Sequence, residues 1–244
     1  MKKDRKNLSP GTLLAPVPPA MVTVGDFDNA NVLTVAWTGI LNSTPPKTYV
    51  SIRPSRHSHG ILMQGREFVI NLPSVSQAKT VDYVGIYTGA KVDKFEKCPI
   101  TKQRSHTVAP PTIAECPVAI ECRVSDVISM GSHDVFIADI TNVSCQESLI
   151  DESGKVHFEK ADLLAYSHGE YYSLGEVVGR FGFSTDKPER KKVKATEPLA
   201  PKPPKTPILL ENKPRPFYAD VIKSTPPKRK PTDKNKGKRK AVKK

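Results

Sequence analysis

No apolar run in the chain approaches the roughly 20 residues needed to cross a bilayer as a helix, so a helical membrane anchor is not expected. The opening stretch MKKDRKNLSPGTLL is charged but has neither a long apolar segment nor a small-residue cleavage site. A retained N-terminus and a cytoplasmic location are the expectation. The four cysteines, Cys98, Cys116, Cys122 and Cys145, have no CxxC spacing. That argues against a zinc site or a thioredoxin-type pair and leaves four reduced thiols as the reading. GxGxxG at a helix start, the GxxxxGK phosphate loop, the GxSxG elbow and HExxH are all missing. A phosphate-bearing ligand must therefore be held by other residues.

What the chain has in excess is positive charge, and it is confined to one end. The formal net charge is +13, yet residues 186–244 alone hold 20 Lys+Arg against 6 Asp+Glu, which leaves residues 1–185 at −1. The same stretch holds 11 of the 23 prolines. Such a composition buries too little apolar surface to offset the entropy of ordering, so a disordered tail is expected, extended around Pro-Lys-Pro-Pro. Its clusters Lys228-Arg229-Lys230 and Lys238-Arg239-Lys240 suit weak, salt-sensitive binding of nucleic acid or another polyanion. A solubilising or tethering extension is the alternative. Its one apolar island runs through Ile208-Leu209-Leu210 and Pro216–Ile222. The expected organisation is an arm at 1–11, a folded domain at 12–185 and the tail at 186–244.

Within the domain, β-branched runs alternate with turn clusters. Pro19–Asp26 reads as a strand closed by Asp26-Phe27-Asp28-Asn29, Asn31–Asn42 as the next, and Thr48–Arg53 as a third. Ser55 stands where a helix N-cap would, ahead of Arg56–Gly65. Glu67–Leu72 is a strand and Ser76–Tyr87 a helix. Val118–Ile128 and Asp134–Val143 are long strands joined by a turn at Met130–His133. Strands dominate without βαβ repetition, which favours a mainly antiparallel β-barrel with peripheral helices.

Two stretches carry chemistry. Ser51-Ile52-Arg53-Pro54-Ser55-Arg56-His57-Ser58 puts two guanidinium groups beside several hydroxyls at a helix start. Free N–H groups, the positive end of the helix dipole and the planar arginine fork all favour an anion there. An exposed strand-to-helix turn with solvated arginines is the other reading. In VLTVAWTGIL, bulky Leu33, Val35 and Trp37 alternate with small Thr34, Ala36 and Thr38, and Asn31 shares the bulky face. This suits a barrel wall beside a planar ligand, whereas core filling is the plainer fate of a lone tryptophan.

The blocks TVAWTG, SIRPSRHS, NLP at Asn71–Pro73, VDKFEK at Val92–Lys97, GSHDVF at Gly131–Phe136, EKADLLAYSHGEYYSLGE at Glu159–Glu176 and RFGFS at Arg180–Ser184 resemble the flavin reductase-like family in order and content, and flavoredoxins most. The resemblance spans about residues 12–185 and does not reach the tail. It implies an FMN-binding split β-barrel, usually a homodimer with each flavin near the interface. It also implies an oxidoreductase passing hydride or electrons through the flavin, with NAD(P)H or a redox protein as partner. By motif, Asn31, Thr34, Ala36 and Trp37 would lie along the flavin, and Ser58 with Arg53, Ser55 and Arg56 would hold its phosphate. Lys94 matches a family residue that reaches the cofactor, a solvated loop lysine being the alternative. His133 matches a cofactor-contacting position, and Tyr166 an aromatic beside the ring. His168, Tyr171 and Tyr172 either shape the substrate side or close the barrel end. No catalytic side chain is expected, because the flavin would carry the chemistry.

Overall fold

A computed structural model describes residues 4–186. The tail expected to be disordered lies outside the described residues, apart from Asp186. The strands are β1 Ala20–Val24, β2 Asn31–Val35, β3 Thr38–Ser43, β4 Pro46–Ile52, β5 Glu67–Leu72, β6 Lys102–Gln103, β7 Thr112–Ile113, β8 Val118–Ser129, β9 Asp134–Cys145, β10 Leu164–Ser167 and β11 Glu170–Ser173. The helices are α1 His57–Gly65, α2 Ala78–Ile86 and α3 Lys94–Lys97.

Seven strands form one antiparallel sheet in the order β2-β1-β5-β8-β9-β4-β3. β2 and β3 are neighbours in sequence but lie at opposite ends of that order, so the sheet must roll up to bring them together. The Ser51 N–H donates to the Trp37 carbonyl at 2.9 Å, which extends the β3–β4 ladder by one residue into the Ala36-Trp37 link. The result is a mainly β barrel.

The expected single strand Asn31–Asn42 is therefore two strands, broken at Ala36-Trp37. Its alternation runs on through the break with no glycine or proline to mark it, while each half pairs with a different neighbour. Trp37 consequently leaves the inner face of Leu33 and Val35. At 42% exposure it does not fill the core.

Strand periodicity sorts the core into two layers. Ala20, Val22, Leu33, Val35, Phe68 and Phe136 pack inside the barrel, where Leu62 of α1 joins them. From the opposite face, Met21 of β1 and Val32 of β2 meet Val81 and Val84 of α2. β1 and β2 are thus buried on both sides, which explains their unbroken β-branched runs. Glu121 of β8 is fully buried and accepts from the His106 and Thr107 N–H groups, the Thr107 hydroxyl and the Asn142 amide. Burial opposes its ionisation, but these bonds outweigh it and hold the carboxyl below its ordinary value. It pins a loop rather than facing a cavity.

Two helix starts differ from expectation. α1 is capped by Arg56 with no side-chain cap, because Arg53–Arg56 forms a turn closed by the Arg56 N–H on the Arg53 carbonyl at 3.0 Å. That turn uses up Ser55, one residue too early to cap. Before α2, Val75–Gln77 is a 3₁₀ turn, tightened by the Gln77 side chain accepting from the Ser74 N–H at 2.9 Å.

Candidate functional site

Two adjoining chambers open between the barrel and α2. The larger, about 300 Å³, is walled by Leu33, Thr34, Ala36, Trp37, His133 and Tyr166 among others. The smaller, about 210 Å³, is walled by Asn31, Ser55, Ser58, Lys94, Thr88 and Gly89 among others. Leu33, Arg53 and Arg56 line both, so the chambers share a waist bearing two guanidinium groups.

All eleven residues expected to bind the cofactor line one chamber or the other. Chain geometry accounts for the convergence. β2 ends at the break that releases Ala36 and Trp37 toward the larger chamber, and β4 ends at the turn carrying Arg53, Ser55 and Arg56. The β8–β9 turn delivers His133. The β10–β11 hairpin delivers Tyr166, bonded to Val17 through both backbone groups at 3.0 and 2.9 Å.

The smaller chamber is built for an anion. Ser58, in the first turn of α1, is buried and accepts from the Asn31 amide at 2.6 Å. The first amides of an α-helix have no intrahelical carbonyl to bond, and α1 has no acidic residue in its first turn. Arg56 donates to the Gly85 carbonyl at 3.1 Å, which ties its guanidinium to the end of α2. Lys94 is 3% exposed, which removes the reading of a solvated loop lysine. Its ammonium donates to the carbonyls of Val32 at 2.6 Å and Val84 at 2.8 Å. Burial, then the neighbouring Arg56 charge, lowers its pKa to about 8. An ammonium has three donors, and the third remains for an anion in the chamber that Lys94 lines.

Gly89 completes this wall. A Cβ there would lie 2.2 Å from the Asn31 Oδ1. Gly89→Ala is therefore expected to push the Asn31 amide off Ser58 and to weaken binding of FMN, the ligand the sequence resemblance implies, about tenfold, roughly the worth of one buried hydrogen bond. Far-ultraviolet circular dichroism should stay unchanged, and flavin fluorescence titration reads the affinity.

The larger chamber suits a flat, partly apolar ring. Trp37 and His133 lie with ring centroids 4.6 Å apart and planes at 39°. The Arg53 Nε donates to the His133 Nε2 at 3.4 Å, and the His133 Nδ1 lies 3.0 Å from the Ser132 hydroxyl. Because an arginine Nε only donates, this geometry assigns the histidine proton to Nδ1. Burial and then Arg53 lower the His133 pKa, favouring that neutral form. His133 thus links Arg53 to Trp37.

The sequence reading missed the other wall. Asp82, Gly85 and Ile86 of α2 line the larger chamber, and Tyr87-Thr88-Gly89 the smaller. The Tyr171 hydroxyl donates to Asp82 at 3.3 Å, fastening the hairpin to α2. Burial and Asp82 push its pKa up to about 12. Tyr171 lines the larger chamber, whereas Tyr172 is exposed and paired with Glu170 on its own hairpin. In the sequence, only Thr88-Gly89 directly after a helix hinted at this wall.

The site lies in a rolled antiparallel barrel as an elongated cleft, aromatic in one chamber and cationic in the next. The architecture matches flavoredoxin of Desulfovibrio vulgaris (Miyazaki F) with a TM-score of 0.70 at 30% identity, covering 75% of this chain and 100% of that one. It also matches an FMN-binding protein from Thermus thermophilus with bound 1-cyclohex-2-enone, with a TM-score of 0.60 at 27% identity over 74% of this chain and 99% of that one. A curated relative, the NADPH-flavin oxidoreductase of Streptomyces viridifaciens, is 24% identical over 142 residues, 57% of this chain and 72% of its own length. The family model described as flavin reductase like domain matches residues 13–175, and the chain belongs to that family.

Proposed function

We propose that the chain binds FMN and passes hydride or electrons through it, as an oxidoreductase of the flavin reductase or flavoredoxin type. The observation that carries this reading is the pair of chambers joined at Arg53 and Arg56. A flavin mononucleotide is likewise a flat ring joined by a short chain to a dianion. The donor set fits a phosphate: Arg53, Arg56, Lys94, the first amides of α1 and the Ser58 hydroxyl. The larger chamber would take the ring between Trp37 and Tyr166, with Asn31 and Thr34 along the connecting chain.

Bound there, the flavin supplies the two-electron chemistry. The protein's residues hold it and set its surroundings. Arg53, fixed by His133, keeps positive charge at the waist. The Tyr171–Asp82 bond keeps the hairpin and its Tyr166 against the cleft and limits water entry. The Thr34 hydroxyl is engaged by the Val81 carbonyl, so its part is to anchor α2 against β2. FMN rather than FAD is favoured by the likeness to the FMN-binding protein of Thermus thermophilus and by the small volume of the anion chamber.

The purified full-length chain is expected to be yellow and to release FMN on denaturation. A colourless preparation that refuses added FMN would end this reading. Steady-state NADH and NADPH oxidation with added flavin separates a reductase from a carrier serving a redox protein: a carrier turns over slowly. The Streptomyces relative favours the first and the flavoredoxin likeness the second. A second copy of the chain is the proposed partner for the outer edge of β3, where Ile40 and Leu41 are exposed.

A further inference from the structure

Burial does little to anchor the turn that brings His133 to the larger chamber. Ile128 and Met130 on the approach to it are 43% and 67% exposed, and Gly131 holds a φ of 85°. Beyond the strand ladders, two polar contacts tie this end of the hairpin to other elements among the described residues. One is the long Arg53–His133 bond at 3.4 Å. The other joins Asp134, the first residue of β9, to His59 of α1. The His59 Nε2 lies 2.7 Å from the Asp134 Oδ2, and the two side chains are 13% and 15% exposed. A carboxylate oxygen only accepts, which assigns a proton to the His59 Nε2. Bonds from His59 and then Ser129 hold the Asp134 carboxyl below its ordinary value, so the acceptor is charged and the bond is of the stronger, charge-assisted kind.

The two ends of this bond differ in rigidity. α1 is seated in the barrel core by Leu62, which has no exposed surface. The His59 ring lies edge-on to the fully buried Phe136, with centroids 5.4 Å apart and planes at 72°. The turn has no such seat, so α1 is the fixed end and the turn is the end being held. His59 lines neither chamber. It follows Ser58 by one residue, about 100° further round the helix, and so points away from the anion chamber that Ser58 lines.

We propose that His59 is a positioning residue for the ring chamber: through Asp134 it holds the β8–β9 turn so that the neighbouring His133 stays against Trp37. The consequence runs against sequence proximity. Although His59 adjoins Ser58, its loss tells on the ring and not on the phosphate. The ligand named here rests on the flavin reading, whereas the seating of the turn does not.

The test compares full-length His59→Leu, His59→Gln and Asp134→Ala. His59→Leu removes the donor, and His59→Gln restores an N–H at similar reach. Asp134→Ala removes the acceptor from the turn side and leaves α1 and Phe136 untouched. In His59→Leu the Kd should rise about tenfold for FMN and for riboflavin alike. Asp134→Ala should give the same pattern, and adding His59→Leu to it should change little more. His59→Gln should stay within about twofold of the unsubstituted chain. Trp37, the only tryptophan, gives a second reading in the unloaded chain, because a charged imidazole in contact quenches indole emission. In mildly acid buffer that emission should brighten in His59→Leu and Asp134→Ala as His133 moves away, and stay unchanged in His59→Gln. Losses confined to FMN, equal damage in His59→Gln, fully additive losses, or unaltered Trp37 emission in His59→Leu would each overturn the proposal. Refusal of both flavins by the unsubstituted chain sinks the flavin reading instead, and Trp37 emission alone then decides the positioning.

Discussion

Replacing Arg56 and Ser58 together by alanine is expected to raise the Kd for FMN about a hundredfold while changing that for riboflavin far less. The double variant removes one guanidinium fork and one buried hydroxyl at the start of α1. A charge-assisted hydrogen bond contributes about 1.5–3 kcal/mol and a neutral one about 1 kcal/mol, which together set the scale. Arg56 is exposed in the unloaded protein, so solvent screening keeps its share toward the lower end. Riboflavin has the same ring and lacks the phosphate, so the ratio of the two losses isolates the anion contacts. Fluorescence quenching of each ligand on titration gives both constants. Equal losses would move the phosphate site elsewhere in the cleft.

The second large effect belongs to Lys94. Its pKa of about 8 in the unloaded fold, lowered by burial and then by Arg56, means that the ammonium needed for an anion is already half lost near pH 8. FMN affinity should therefore be level below that pH and fall as pH rises through it, until the higher pKa of the loaded protein is passed. Lys94→Met should bind FMN weakly throughout, by about tenfold to a hundredfold, and lose this alkaline decline. Stability of the unloaded protein moves oppositely. The unfolded lysine titrates near its model value of 10.5, so between about pH 8 and 10.5 the unfolded chain holds more protons than the fold. Stability then increases with pH across that window, by on the order of 3 kcal/mol at most. Opposite slopes for affinity and stability would be hard to obtain from a surface lysine.

How much of this was legible in the sequence varies with the kind of signal. Glu67–Leu72 is recovered as read, and the β8–β9 pair nearly so, because β-branched runs between turn residues declare themselves locally. The break at Ala36-Trp37 was invisible, since it follows from which distant strand each half pairs with. The anion chamber was half legible. Arg53, Ser55, Arg56 and Ser58 stand within a few residues of one another and have the chemistry an anion needs. The other half comes from Tyr87, Thr88 and Gly89 just after α2, which tertiary packing alone brings there. Lys94 shows the same limit, for nothing near it in sequence says that α3 turns its side chain under two carbonyls of other elements. Asp82 and Tyr171 are 89 residues apart, and no local pattern links them.

The jump from β2 to β3 has a mechanical consequence. The stretch that contributes Trp37 to the cleft also links the two end strands of the sheet, and the bond from the Ser51 amide to the Trp37 carbonyl fastens it to β4. Trp37 and Ser51 both line the larger chamber, so a ligand filling it braces that link from within, and protection of the Ser51 amide against deuterium should rise with occupancy.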